Sequence, residues 1–179
     1  FDRIEYELTY LADNPQVAGE KIQRGATGTD VNTKDQKYKK SLLLGTASRG
    51  VRSPDKGIAD GKLTMHMFKG EIEYTSETDW NLVTVGARAN TISDLKGNFK
   101  LGTVSFNKDY WVIIADTIGL PPSPPFKSAK AVLPVYGVFS IAPDFAKGIN
   151  LTITYQENLK NPNLYIYKSA QSEWQELTA

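Results

Sequence analysis

Residue types that commonly carry out catalysis are scarce in this chain. It contains no cysteine and a single histidine, His66, which leaves no thiolate nucleophile and too few ligands for the common zinc sites. His66 lies between Met65 and Met67 in an alternating stretch, so its ring is expected on the outward face of a strand. The sequence contains no HExxH, GxSxG, phosphate-loop or Rossmann pattern. These observations predict a protein that is not an enzyme.

The acidic residues offer the remaining route to acid–base chemistry, because two carboxylates suffice for a glycosidase. Most of the aspartates lie near predicted turns, where Asp side chains form caps and turn hydrogen bonds. Calcium also binds loop acids, but no EF-hand spacing occurs. We therefore expect no cofactor and keep calcium as a lesser alternative. An enzyme that uses loop carboxylates is kept as a third interpretation.

The three tryptophans are the candidate ligand-contact residues: Trp80, Trp111 and Trp174. Aromatic rings stack on flat sugar faces and supply large contact areas to protein partners. Trp111 belongs to the run Tyr110–Ile114, which predicts a strand buried on both faces. Trp80 and Trp174 occupy matching places in two similar stretches of sequence, which favours core packing over ligand contact for both.

The composition and the hydrophobic pattern indicate a globular protein built from strands. Of the 179 residues, 40% are hydrophobic and 23% are charged, and the formal net charge is +1. This charge is too small for the cationic field that nucleic-acid binding requires, and the apolar runs are too short to insert into a membrane. Alternating stretches such as Ile4–Tyr10 and Ile149–Tyr155 predict strands with one buried face. The sequence therefore predicts an all-β fold of one or two antiparallel β-sandwiches.

Two regions interrupt the strand pattern and suggest a domain division. Residues 18–40 are polar and rich in Gly, Thr, Asp and Lys, which predicts a long exposed loop. Pro121–Pro125 contains four prolines, which remove backbone donors and favour a linker. We therefore predict a β-sandwich unit over 1–120, a linker over 121–125 and a second, incomplete β unit over 126–179.

One ordered pattern occurs twice in the chain. The first copy runs through Pro54-Asp55, the alternating stretch Leu63–Met67, and Ile72–Thr84 with Tyr74 and Trp80. The second copy runs through Pro143-Asp144, the alternating stretch Leu151–Tyr155, and Tyr165–Thr178 with Tyr167 and Trp174. In each copy a Pro-Asp turn, a strand and a hairpin carrying Tyr and Trp are expected to form one core-building unit.

This pattern resembles the Ig-like β-sandwich repeats of bacterial secreted and cell-surface proteins, and is reminiscent of the sandwich in ankyrins and netrin receptors. The residues that carry the resemblance are Pro54, Asp55, Tyr74, Trp80, Pro143, Asp144, Tyr155, Tyr167 and Trp174. The resemblance implies an Ig-like architecture and a spacer or adhesive role, and it brings no catalytic residues. It leaves the first 40 residues unexplained.

These considerations predict a non-catalytic structural or interaction module of a secreted or cell-surface protein. Such a module spaces or docks other domains, binds a protein or a cell-surface glycan, and is located outside the cell, at its surface or in the periplasm. The alternative is a carbohydrate-binding module attached to a secreted hydrolase. The sequence begins at Phe1 without Met or a signal sequence, as expected of a processed protein or an excised segment.

Overall fold

A computed structural model describes residues 1–29, 31–34, 38–88, 90–132, 134–143, 149–155 and 159–177. Within these residues the chain forms thirteen strands and a short 3-10 helix at Ser128–Lys130. The strands are β1 (Arg3–Asp13), β2 (Lys21–Gly28), β3 (Gly45–Ser48), β4 (Val51–Pro54), β5 (Ala59–Lys69), β6 (Ile72–Val85), β7 (Asn90–Ser93), β8 (Phe99–Val104), β9 (Tyr110–Ala115), β10 (Gly137–Ser140), β11 (Asn150–Ile153), β12 (Leu164–Lys168) and β13 (Glu173–Leu177). The predicted all-β fold is confirmed. No helix among the described residues is long and apolar enough to cross a membrane.

Antiparallel pairing arranges these strands into one large sheet and three small ones. The large sheet has six strands in the order β10-β9-β6-β5-β1-β2. A second sheet has the order β11-β8-β7, and two hairpins, β3-β4 and β12-β13, make up the rest. The centre of the large sheet is β6, which pairs with β5 over its first half and with β9 over its second half.

The main hydrophobic core lies between the large sheet and the three-stranded sheet. Its buried members are Val85, Ile92, Phe99, Leu101, Phe106, Val112 and Ile114. They come from β6 and β9 on one side and from β7 and β8 on the other, with Phe106 from the β8–β9 loop. Two antiparallel sheets that enclose an apolar layer form a sandwich-like arrangement.

A second core lies on the opposite face of the large sheet. Successive side chains of a strand point to opposite faces, so Val112 and Ile114 of β9 join the main core while Ala115 joins the second one. In this second core the Trp80 ring lies over Gly61, its partner across the β5–β6 pair. A Cβ atom at Gly61 would lie within 2.2 Å of that ring, so only glycine fits there.

The segment that covers the second core is fixed by one partly buried acid, Asp55. Asp55 accepts a hydrogen bond from the Tyr10 hydroxyl at 2.9 Å and lies 3.8 Å from the Arg24 guanidinium. Its backbone N–H donates to the Leu44 carbonyl and closes the base of the β3–β4 hairpin. Burial, together with the hydrogen bond to Asp55, raises the pKa of Tyr10 to about 12. The Pro-Asp turn predicted at this position is therefore also a polar anchor on β1.

The structure bears on two predictions about chain organisation. The predicted loop over 18–40 is interrupted by β2, whose residues 21–28 pair with residues 6–13 of β1, while the described residues between 29 and 40 lie outside the strands. The division at 121–125 is also not respected by strand pairing. After the prolines, β10 pairs with β9 and β11 pairs with β8, so both complete sheets that begin before the linker. The proline segment itself lies outside the strands, as expected.

The repeated pattern does not fold into equivalent structures. Ile72–Thr84, predicted as a hairpin, lies within the continuous 14-residue strand β6, and its turn comes earlier at Gly70-Glu71. Tyr74 and Trp80 therefore lie on one strand. In the second copy, Tyr167 and Trp174 face each other across the β12–β13 hairpin. Asp144, which opens the second copy, lies outside the described residues.

A pair of isoleucine substitutions tests the main core. Ile114→Ala should lower the free energy of unfolding by about 2–5 kcal/mol, because the side chain is fully buried between the two sheets. Ile72→Ala, at an exposed position in β6, should cost no more than about 1 kcal/mol. Urea denaturation, monitored by circular dichroism, measures the free energy of unfolding of both variants. Equal losses of this free energy in the two variants would contradict the sandwich arrangement.

Candidate binding surface

The structure separates the three predicted ligand-contact tryptophans into three environments. Trp80 is buried in the second core, so it is not accessible to a ligand. Trp174 is partly buried against Phe126 and Tyr167, and its Nε1 donates to the Pro122 carbonyl at 2.9 Å. Trp111, in contrast, is 63% exposed. Of the three candidates, Trp111 alone presents its ring to solvent.

The exposure of Trp111 follows from its place at the start of β9. The next residue, Val112, points to the opposite face and is completely buried in the main core. Trp111 shares its face with Ile113 and Ala115, but these two pack against the second core whereas Trp111 lies beyond it. The prediction that this run is buried on both faces is therefore wrong at Trp111 and right from Val112 onward.

A second exposed aromatic residue, Phe139, lies on the same face of the sheet as Trp111. Phe139 of β10 is 52% exposed and pairs with Ile113, which in turn pairs with Leu82 of β6. Leu82, Ile113 and Phe139 therefore form a row across three strands, and Trp111 is the diagonal neighbour of Phe139. We call these four residues the aromatic strip. It continues the apolar surface of the second core outward to the edge of the sheet.

The edge strand is held in position next to Trp111. Ser140 donates a hydrogen bond from its Oγ to the Trp111 carbonyl at 2.7 Å. The Ala142 N–H donates to the same Oγ, so Ser140 fixes the end of β10 and the turn that follows it. Phe139 was not among the sequence-based candidates. The signal that could have indicated it is the stretch 131–143, which contains no charged residue.

The strongest electrostatic cluster joins the two sheets on the opposite side. Lys96 Nζ lies 2.8 Å from Asp79 Oδ2 and 2.9 Å from Asp116 Oδ2. Asp116 is buried, and its other oxygen accepts the Asp79 backbone N–H at 3.0 Å. The hydrogen bond from the Lys96 ammonium group to Asp79 makes the largest contribution to raising the pKa of Lys96 above its ordinary value, and the hydrogen bond to Asp116 makes the next largest. We call this cluster the Lys96 clasp, because it fastens the β7–β8 hairpin to β6 and β9.

Another buried acid, Asp94, lies in the β7–β8 hairpin. Asp94 Oδ1 accepts the Phe99 backbone N–H at 2.9 Å, while Oδ2 has no hydrogen-bond partner among the described residues. Burial, followed by the charge of Asp94, raises the pKa of Tyr136 to about 12. The Asp79 and Asp116 carboxylates contact the Lys96 ammonium group, and Asp116 Oδ1 and Asp94 Oδ1 accept backbone N–H groups, which orders the hairpin.

The remaining polar features of the described residues lie outside the aromatic strip. His66 Nδ1 lies 2.6 Å from Glu73 Oε1 on the outward face of the β5–β6 hairpin. Among the described residues, no three His, Cys, Asp or Glu side chains are grouped so that they could hold a metal ion. An open groove of about 300 Å³ is lined by residues of β1 and of the edge strand β2, among them Gly25.

Comparison with known proteins adds no relatives. No family model, no curated protein and no solved structure matches the chain. The resemblance to Ig-like repeats thus stays a prediction.

The Lys96 clasp predicts that loss of Lys96 destabilises the fold more than loss of a lysine paired at the surface. Lys96→Met should destabilise the fold by about 1–2 kcal/mol, because it leaves the buried Asp116 carboxylate without its cation. Lys62→Met removes a lysine whose partner Glu77 is exposed, and should cost no more than about 0.5 kcal/mol. Denaturant titrations of both variants measure the difference.

The pH dependence of this difference has a defined sign. A lysine whose pKa is raised in the folded state stabilises the fold fully below its unfolded pKa, and this contribution is lost as the pH rises through the folded pKa. The gap between wild type and Lys96→Met should therefore stay constant from neutral pH to about 10 and shrink above it. A gap that grows at alkaline pH would contradict the clasp.

Fluorescence quenching tests the environments of the tryptophans. Trp111 should account for most of the emission that acrylamide quenches, because its ring is the most exposed of the three. Trp111→Phe should remove the steeply quenched component, and Trp80→Phe should leave it in place. Unchanged quenching in Trp111→Phe would show that the ring is covered.

Proposed function

We propose that this chain is a non-catalytic interaction module of a secreted or cell-surface protein, and that the aromatic strip is its binding surface. The observation that carries the proposal is the exposure of Trp111 and Phe139 on the same face of a regular, well-packed sheet. Exposed apolar patches on folded proteins commonly mark interaction sites.

The energetics of the two rings favour this function. Large aromatic side chains each bury roughly 150–250 Å² when fully covered. At about 25 cal/mol per Å², covering the exposed part of Trp111 alone would contribute roughly 2–4 kcal/mol before the costs of association. Tryptophans in such positions are frequent among the residues that dominate binding energy. The scaffold beneath the rings is already ordered, so little entropy is lost at the surface when a partner binds.

The neighbours of the rings favour a protein partner over a glycan. Leu82 and Ile113 flank them on the same face, and Thr84 is the polar residue paired with Trp111. Sugar recognition usually combines a stacking ring with several hydrogen-bonding side chains. A row of apolar groups better matches an apolar protein surface. The carbohydrate-binding alternative rests on the same exposed Trp111.

One experiment separates the two partners and tests the surface. Wild type, Trp111→Ala and Tyr74→Ala are immobilised and exposed to insoluble cell-wall polysaccharides, to a glycan array, and to the extracellular proteins of the source organism. Tyr74 is a matched control, because it is an exposed ring on β6 outside the strip. Circular dichroism and unfolding midpoints verify that all three fold.

The expected result is a protein ligand retained by wild type and Tyr74→Ala. Trp111→Ala should weaken binding by about 30-fold or more, which corresponds to about 2 kcal/mol. Glycan binding that depends on Trp111 would establish the carbohydrate-binding alternative. Ligands that bind all three variants equally would remove the aromatic strip as the site.

A further inference from the structure

The two edges of the large sheet differ in how they are protected against pairing with another strand. The outer strand β2 carries two cations, Lys21 and Arg24, and Lys21 is held by Asp13 at 2.8 Å. At the opposite edge, β10 carries no charge and lies within the uncharged stretch 131–143. Natural edge strands usually contain lysine, proline or a bulge, which discourage pairing with another chain.

Strand β10 is also apolar on both of its faces. Val138 is 38% exposed on the face of the main core, and Phe139 is 52% exposed on the opposite face. Ile141, directly after the strand, is 92% exposed. By comparison, the exposed residues of the edge strand β11 are the polar Asn150 and Thr152. Exposed apolar groups at an edge lose unfavourable contact with water when a further strand covers them.

The backbone of β10 has the geometry that strand addition requires. It pairs with β9 in continuous register from Gly137 to Ser140, without the shift that interrupts the β1–β5 pair. In the described part of the chain no strand lies on its other side. The outward N–H and C=O groups of a regular strand form a template for another strand.

We propose that β10 pairs antiparallel with β10 of a second copy of this chain, which joins the two six-stranded sheets into one. The chain itself supplies a strand of the required chemistry, uncharged and apolar on both faces. A twofold axis perpendicular to the sheet keeps matching faces together, so Val138 approaches apolar residues of the other copy and Phe139 does the same on the opposite face. The formal charge of +1 per copy adds little repulsion.

The pairing has a functional consequence for the aromatic strip. Both copies would present their Trp111 and Phe139 rings on the same face of the joined sheet, on either side of the twofold axis. A partner with two docking points would then bind with avidity beyond that of one strip. The pairing itself does not depend on the proposed function and holds whether or not a partner binds the strip.

Sedimentation velocity over roughly micromolar to millimolar concentrations tests the pairing, because small interfaces give weak dimers. We expect a reversible dimer of twice 19.8 kDa. Val138→Lys should weaken dimerisation at least tenfold, since it places a lysine from each copy in the paired edge. Val51→Lys is the matched control, because Val51 is 70% exposed in the short strand β4, and it should dimerise like wild type.

Three further measurements make the outcome decisive. Ile141→Lys repeats the test at a residue so exposed that it cannot disturb the fold, in case Val138→Lys is unfolded. Hydrogen exchange should show protection of the β10 amides that increases with concentration, with no change in β2. Trp111→Ala should dimerise normally, which separates edge pairing from loss of the binding surface.

Several results would overturn the pairing. The first two are a monomer at every concentration and a dimer that neither Val138→Lys nor Ile141→Lys weakens. The others are protection of the β2 amides from hydrogen exchange and an oligomer larger than a dimer. A dimer that Trp111→Ala abolishes would mean that the two copies stack through their faces instead of pairing at their edges.

Discussion

The pairing of β6 with β9 is the constraint on which the rest of the structure depends. Over Trp80–Val85 and Tyr110–Ala115 these strands carry buried side chains on both faces. A sheet with two apolar faces must be covered on both sides, because each uncovered large side chain would forgo roughly 1.5–3 kcal/mol of burial. The three-stranded sheet covers one face, and the segment around the β3–β4 hairpin covers the other.

Each of these two covering elements is fastened by an aspartate, which is buried in one case and partly buried in the other. On one side Asp116 holds Lys96 of the β7–β8 hairpin, and on the other Asp55 holds the Tyr10 hydroxyl. Apolar contacts are non-directional and permit small shifts between layers, whereas hydrogen bonds fix distance and angle. The polar groups therefore determine where each cover sits, and the apolar residues supply most of the stabilisation.

The aromatic strip begins where the segment around the β3–β4 hairpin, which covers the second core, ends. Trp111 and Phe139 continue the apolar face past the last residues that the covering segment reaches. The same two strands, β9 and β10, form the end of the sheet, so an exposed aromatic face and an unprotected edge lie next to each other. Core, face and edge are thus parts of one apolar surface, of which the covering segment buries only a part.

Local sequence determined the strands and the class of the fold. Alternation at Ile4–Tyr10 and Ile149–Leu151–Ile153 depends only on neighbouring residues, and the corresponding strands form. The predicted core role of Trp80 also holds, since a large ring at an alternating position of a central strand is buried in any sandwich. The composition of 18–40 was misleading because β1 supplies the hydrogen bonds that allow a polar segment to form β2.

Only the tertiary structure decided which strand pairs with which, and the proposed binding surface depends on that pairing. The two Tyr and Trp patterns are similar in sequence, yet one lies on a single strand and the other spans a hairpin, because the turns fall at different places. The exposure of Trp111 likewise depends on what covers its face, which comes from residues far away in sequence. Side-chain periodicity is a local property that a sequence displays directly, whereas strand pairing and coverage are long-range contacts that a single sequence does not encode in any short pattern.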